Sequence, residues 1–272
     1  MGDVSMNKKT LIAAALLFSL NTPVLMAADL GKGSRAFDKQ DYAEALQELE
    51  PLAKEGNPDA TNMLGQMYEN GWGVNKDTEK AKRYYTQGAN VGHLDSVNSL
   101  RALKNKEYQV ELKTVQPAAE SGDAHAMNRM GVMNEFGYGL KRNPAEAFRW
   151  YQKAAEAGLV AGVHNIGRAY NFGTGVEQNF AEAERWYREA AKKGHTDAMF
   201  FLGTLYSNEH GADTNYDSNV IAYAWMHNAA QLGNDTAEAI ERRLVMKLDE
   251  GQLKVAKALA DSYYQQYVAP YK

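Results

Sequence analysis

The sequence predicts an all-α chain of stacked helix-turn-helix units, and three observations carry that expectation. The first is a period: Gly56, Gly92, Gly122, Gly158, Gly194 and Gly233 close successive segments at separations of 36, 30, 36, 36 and 39 residues. The second is a recurring Leu/Ile-Gly-x-x-Tyr, seen at Leu64-Gly65 with Tyr68, Ile166-Gly167 with Tyr170, and Leu202-Gly203 with Tyr206. The third is a helix with paired aromatics that ends in Ala-Ala-x-x-Gly, cleanest over residues 145–158 and nearly repeated over 181–194. Apolar spacings of three and four residues are helical, and a glycine just past the last apolar position is a usual C-cap. A period near 36 marks a helical array in which each unit alone buries too little and neighbours share one core.

Taken in order, the chain opens on a different kind of segment. Lys8 and Lys9 precede an apolar run over residues 11–20, then Pro23, then Ala27-Ala28. That order is a secretory signal peptide, expected to occupy residues 1–27 and to be removed. The apolar run falls short of the roughly 20 residues that span a bilayer, so no transmembrane segment is expected in the mature chain. The expected location is the bacterial periplasm, or outside the cell. There is no cysteine, which leaves packing to stabilise the fold, and the net charge of −4 argues against nucleic acid, which favours a basic stripe.

The repeat array is expected over residues 28–235. Its order reads short, long, short, long, long, long, because the segments around Tyr42 and Tyr108 lack the Gly-x-Gly turn and match each other at an offset of 66. Pro51 and Pro117 lie inside these two short units, where proline bends or breaks a helix. Residues 236–272 read as capping helices, with Asp249 starting the last one and Leu253, Ala256, Leu259 and Ala260 on its inner face.

These units resemble SEL-one-like repeats (SLR), a branch of the tetratricopeptide-like superfamily. Leu-Gly-x-x-Tyr, Gly-x-Gly-Val, the paired aromatics and Ala-Ala-x-x-Gly carry the resemblance from about residue 30 to the C-terminus. It implies a right-handed α-solenoid of about six units whose first helices line the concave face. It also implies a non-enzymatic adaptor for a protein or peptide partner, often an envelope or membrane-associated protein. Some secreted members held by disulfides are linked to peptidoglycan or β-lactam binding, an alternative that the absence of cysteine weakens here.

If first helices line a groove, the helical wheel places the second, sixth and ninth residues after the leading small residue on it. The candidate peptide-binding residues are then Asn62, Gln66, Asn98, Asn128, Val132, Glu135, His164, Arg168, Asn171, Phe200 and Thr204. A carboxamide ladder suits an extended backbone, since each side chain offers a donor and an acceptor without a charge. Arg168 reads as a charged anchor. The competing reading is a solvated helix face.

Other chemistry finds less support. Gly71-Trp72-Gly73, Gly137-Tyr138-Gly139 and Gly173-Thr174-Gly175 lack the strand and lysine of a phosphate loop and read as turns between helices. The six histidines show no metal-ligand spacing, and the Asp213–Asp217 stretch lacks both the glycine and the closing glutamate of a calcium loop. No cofactor, metal or catalytic residue is expected, and no Gly-x-Ser-x-Gly elbow occurs.

Overall fold

The computed structural model describes residues 28–271, and the expected signal peptide lies outside them. The described residues form thirteen α-helices and no strand, and they divide into two compact units at Leu100/Arg101.

In the first unit, α1 (Leu30–Asp38), α2 (Tyr42–Lys54), α3 (Pro58–Asn70) and α4 (Thr78–Asn90) make two helical hairpins. Each starts on a side chain that accepts from the first free backbone amides: Asp29, Asp41, Asn57 and Asp77 in turn. Ala36, Ala45, Leu49, Ala53, Ala60, Leu64 and Met67 form the core, with alanines where helices approach. Helix α2 runs three residues past Pro51 without a break.

A 27-residue helix, α5 (Leu94–Glu120), replaces the second short hairpin that the pattern predicts. The reason lies in the turn. Between α1 and α2, Gln40 takes a left-handed φ of +65° and the Asp41 side chain caps Glu44 N at 3.2 Å. The matching positions carry Lys106 and Glu107, two good helix formers with no short capping side chain, so the helix continues.

The second unit continues with α6 (Ala124–Phe136), α7 (Pro144–Glu156), α8 (Val160–Phe172), α9 (Phe180–Ala191), α10 (Thr196–Ser207) and α11 (Ser218–Gln231). These pair as three antiparallel hairpins. Helices α12 (Asp235–Val245) and α13 (Glu250–Tyr263) then pack on α11, and a π turn over Tyr264–Val268 follows. Asp249 and Gln252 form a reciprocal capping box at the start of α13. Trp225, fully buried on α11, stacks on Tyr263 at 4.3 Å and meets Tyr267 at 5.0 Å, which fixes this helical cap on the last hairpin. The six closing glycines all have φ between +78° and +103°. A Cβ would meet nothing at five of them, so backbone conformation and not space selects glycine there.

Candidate functional site

Three of the four long units are built on one contact, and in the last one Gly203 faces Met226 instead. A Cβ on Gly65, Gly131 or Gly167 would stand 2.4, 2.3 or 2.6 Å from a ring carbon of Tyr85, Tyr151 or Tyr187, twenty residues later on the second helix. The bare glycine lets the ring lie flat on the first helix. It also delivers the hydroxyl to the residue four positions after the glycine. Tyr85 Oη donates to Glu69 Oε2 at 2.8 Å, and Tyr151 Oη donates to Glu135 Oε2 at 2.6 Å. In the next unit the acceptor position is Asn171, and the buried Tyr187 hydroxyl feels that amide but reaches no partner at hydrogen-bonding geometry. Burial pushes all three phenols well above the usual tyrosine range.

In the second unit this frame holds a hydrogen-bonded run from one first helix to the next. Glu135 on α6 is 7% exposed, and its second oxygen accepts from Arg168 Nη2 on α8 at 2.8 Å. Arg168 Nη1 donates to Asn165 Oδ1 at 3.1 Å, and Asn165 Nδ2 donates to Asn128 Oδ1 at 2.8 Å. Asn128, Glu135 and Arg168 are thus brought together, with Asn165 as a link that the wheel reading missed. Val132, half-buried, packs beside them against the Tyr151 and Ile166 cluster. Arg168 is not a bare cation, because its charge is already met by Glu135.

Between α8 and α10 the seam becomes aromatic. His164, 7% exposed, stacks on His195 at 4.6 Å and lies 5.5 Å from Phe201. Phe201 also stacks on Tyr187 at 5.3 Å, meets Phe200 edge-on at 5.4 Å and meets Phe172 edge-on at 6.1 Å. Burial, reinforced by His195 and Arg168, holds the His164 imidazole down at about 3, so it is neutral. His195 is lowered by burial too, and its Nδ1 caps α10 by accepting from Ala198 N at 3.3 Å. Of the expected residues here, Asn171 is buried, while Phe200 and Thr204 are half-buried, the Thr204 hydroxyl donating to Phe200 O.

Asn62, Gln66 and Asn98 belong to the first unit. Asn62 is buried with its Oδ1 unpartnered, Gln66 is half-buried and Asn98 is exposed. Phe136 and Phe172, last residues of α6 and α8, are two of the large exposed groups that sequence reasoning passed over. Their signal was legible: an aromatic residue directly before the turn glycine, recurring at 36 residues.

Two constellations have catalytic looks and structural roles. His93 lies 3.1 Å from Asp59 and 2.9 Å from the Ser96 hydroxyl, but Ser96 has no exposed surface and sits against Gly88 and Thr61, where no substrate reaches it. Glu184 accepts from Arg188, Tyr206 and Ala212 N, which ties down the polar loop before α11. In that loop Asp213 Oδ1 accepts from Asn215 instead of facing an ion. Among the described residues, no group of three or more potential ligands is placed to hold a metal, and no helix is long and apolar enough to cross a membrane.

A helical hairpin organised by a small residue and an aromatic partner, stacked so that side chains of successive first helices bond one another, defines a repeat protein of the interaction-scaffold class. The Sel1 repeat model matches residues 58–93, 124–159, 160–195 and 196–234, more than half of the chain, and the chain belongs to the Sel1 repeat family. A protective antigen present in uropathogenic Escherichia coli strains, which displays an SLR fold, superposes with a TM-score of 0.53 at 26% identity over 88% of this chain. A Sel1 repeat protein from Oxalobacter formigenes gives a TM-score of 0.45 at 29% identity, covering 78% of this chain and 88% of that one. An uncharacterized protein of Neisseria meningitidis serogroup B is 29% identical over 139 residues, 38% of this chain. The chain spans 53% of the E. coli antigen and 30% of the Neisseria protein.

Proposed function

We propose that this protein is a periplasmic or secreted adaptor that holds an extended peptide segment of an envelope or signalling protein along the first-helix face of its second unit. The Sel1-repeat fold is a protein–protein interaction scaffold. The observation that carries the reading is the run Asn128–Asn165–Arg168–Glu135, which locks the side chains of two neighbouring first helices into one arrangement. Such side chains have little freedom left to lose on binding. Asn128 uses its carbonyl on Asn165 and keeps its amide hydrogens for the carbonyl of a bound backbone. Non-enzymatic action fits a face whose carboxylate and guanidinium are occupied by each other. The basic and apolar leader supports export, as does the E. coli relative, which is described as a protective antigen.

The test places a photo-crosslinking residue at Asn128 or Thr204 on this face, or at Gln152 on a second helix, in cells. A discrete cross-linked partner is expected from the first two positions and not from the third. Cross-links from Gln152 alone, or equally from all three, would refute the assignment of the face. Residues 1–27 fused to a reporter active only outside the cytoplasm test export separately, and an inactive fusion would remove the periplasmic location.

A further inference from the structure

The last two grooves between successive second helices are built alike, and the chain itself fills one of them. The filled groove lies between α9 and α11. There Tyr263 and Tyr267 cover Trp225, Asn228 Nδ2 donates to Ala260 O at 2.9 Å, and the Tyr271 hydroxyl donates to Lys192 O. Arg188 lies over the Trp225 ring at 5.5 Å.

The groove one repeat earlier, between α7 and α9, is open. It forms a cavity of about 290 Å³ lined by apolar Ala155, Val163, Ile166 and Trp186, with Glu156 and Lys193 among its polar residues. These positions return in the filled groove as Ala191, Met199, Leu202, Trp225, Lys192 and Leu232. Trp225 has no exposed surface, whereas Trp186 is half-buried, its ring met by the Arg185 guanidinium at 4.4 Å. The closing turns differ in the same sense. A Cβ on Gly194 would stand 2.9 Å from the Tyr271 ring, and a Cβ on Gly158, its counterpart, would meet nothing.

The filled groove shows the chemistry that fits. Ala260, Tyr263 and Tyr267 follow one another at three and four residues along one stripe of the C-terminal helix and the π turn that continues it. The small residue lets the backbone approach Asn228, and the two rings cover the tryptophan. We propose that the α7–α9 groove is a docking site for an amphipathic helix of a partner protein, which presents to Trp186 two aromatic side chains four residues apart and a small residue three before the first. Glu156 and Lys193 bring opposite charges to the rim, and Glu189 is already paired with Lys192, so the apolar stripe and not net charge selects the helix. This site is separate from the first-helix face, and its occupant from the extended segment proposed there. A Gln152 cross-link to a second protein belongs to this groove and leaves the face to be judged by Asn128 and Thr204.

The probe is a synthetic peptide of residues 249–271 bearing a fluorophore, titrated with the intact protein by fluorescence anisotropy beside a copy with Tyr263→Ser and Tyr267→Ser. The serine copy should bind at least about fivefold more weakly, and Trp186→Ser in the protein should weaken the unaltered peptide as much, the range for loss of an aromatic anchor. Gln152→Arg combined with Lys193→Leu copies Arg188 and Leu232 of the filled groove at two exposed positions, and should tighten binding about threefold, the range for one cation–π contact. Should Trp186→Ser lower the melting temperature, the double variant decides alone. Affinity indifferent to both protein variants would place the peptide at Trp225 in exchange with α13, and absence of binding would show that the groove takes no such helix. Self-association of the protein that disappears in Trp186→Ser would give the groove to a second copy. Each of these three results overturns the proposal.

Discussion

Substituting Gly167→Ala tests the contact on which the hairpins are built. On an exposed helix this change stabilises by roughly 1 kcal/mol, because alanine is the better helix former. Here the new Cβ would lie 2.6 and 2.7 Å from two ring carbons of Tyr187, about 1 Å inside a comfortable carbon–carbon contact. Tyr187 has no exposed surface and is held on its other side by Phe201, so it cannot swing away. Overpacking of this kind costs about 1–3 kcal/mol and here exceeds the gain in propensity, so the variant should lose about 1–2 kcal/mol net. In a domain of this size that lowers Tm by about 2–8 °C. Gly251→Ala is the control: it lies in the exposed first turn of α13, where the nearest contact of a Cβ would be 3.3 Å, and it should leave Tm level or raise it. Thermal melts by circular dichroism decide between the outcomes. Equal stabilisation by both substitutions would show that the glycine–tyrosine contact does not organise the hairpin. Combining Gly167→Ala with Tyr187→Ala should be less damaging than the sum of the two, because the clash disappears with the ring.

The other predictions concern the two halves of the seam. His164 is held at about 3 when folded, against an ordinary value of 6.5, by burial first and by His195 and Arg168 after it. The unfolded chain therefore takes up a proton that the folded chain refuses. This contribution is complete above about pH 6.5 and is lost as pH falls toward about 3, at most on the order of 5 kcal/mol. His164→Leu should flatten the fall of Tm between neutral and acidic buffer, leaving the part that His195 supplies in the same direction; an unchanged slope would contradict the burial argument. Glu135→Ala leaves the Tyr151 hydroxyl buried without its acceptor and Arg168 without its counter-ion. Since the Arg168 side chain is 26% exposed and can take up water, the expected loss is about 2–4 kcal/mol and not the full cost of an isolated buried charge. Glu135→Gln, whose one carbonyl oxygen can accept from Arg168 while its amide donates to the Tyr151 hydroxyl, should lose about half as much, and equal losses in urea melts would show that hydrogen bonding plays no part.

Much of the fold was legible because its determinants are local in sequence. Gly167 and Tyr170, the closing glycines, and the asparagine or aspartate before most helices each act within a turn or two of themselves, and they recur. The fusion at α5 was less legible: the short-unit pattern is present in Tyr108 and Pro117, and what decides the outcome is the lack of a capping residue at Glu107. The position-nine residues were read as facing a ligand, and the structure places Glu135 and Asn171 beneath the surface beside tyrosine hydroxyls. A helical wheel records direction from one axis only. It does not know that a tyrosine from the next helix lies over that direction, sixteen residues further along. The aromatic group around Phe201 was hidden for a related reason, since its members come from α8, α9 and α10 and no single helix displays the pattern.

That layering also explains how one repeated frame carries different surfaces. The residue four after the glycine faces a phenol in three repeats, and in one of them, Glu135, it also bonds the next repeat thirty-three residues on. Where it is Glu135, the next repeat supplies Arg168 and the two close an ion pair. Where it is Asn171, the corresponding residue of the next repeat is Thr204, and neither is charged. Acid meets base at the first junction, while at the second both residues are uncharged and the Thr204 hydroxyl donates to Phe200 O, so neither junction leaves one of these positions with an unmet charge. A buried carboxylate left opposite a threonine would be costly, so the two positions constrain each other. The glycine–tyrosine contact fixes the shape of three repeats, and the Glu135–Arg168 pair, which that shape places at a junction, sets what the junction can hold.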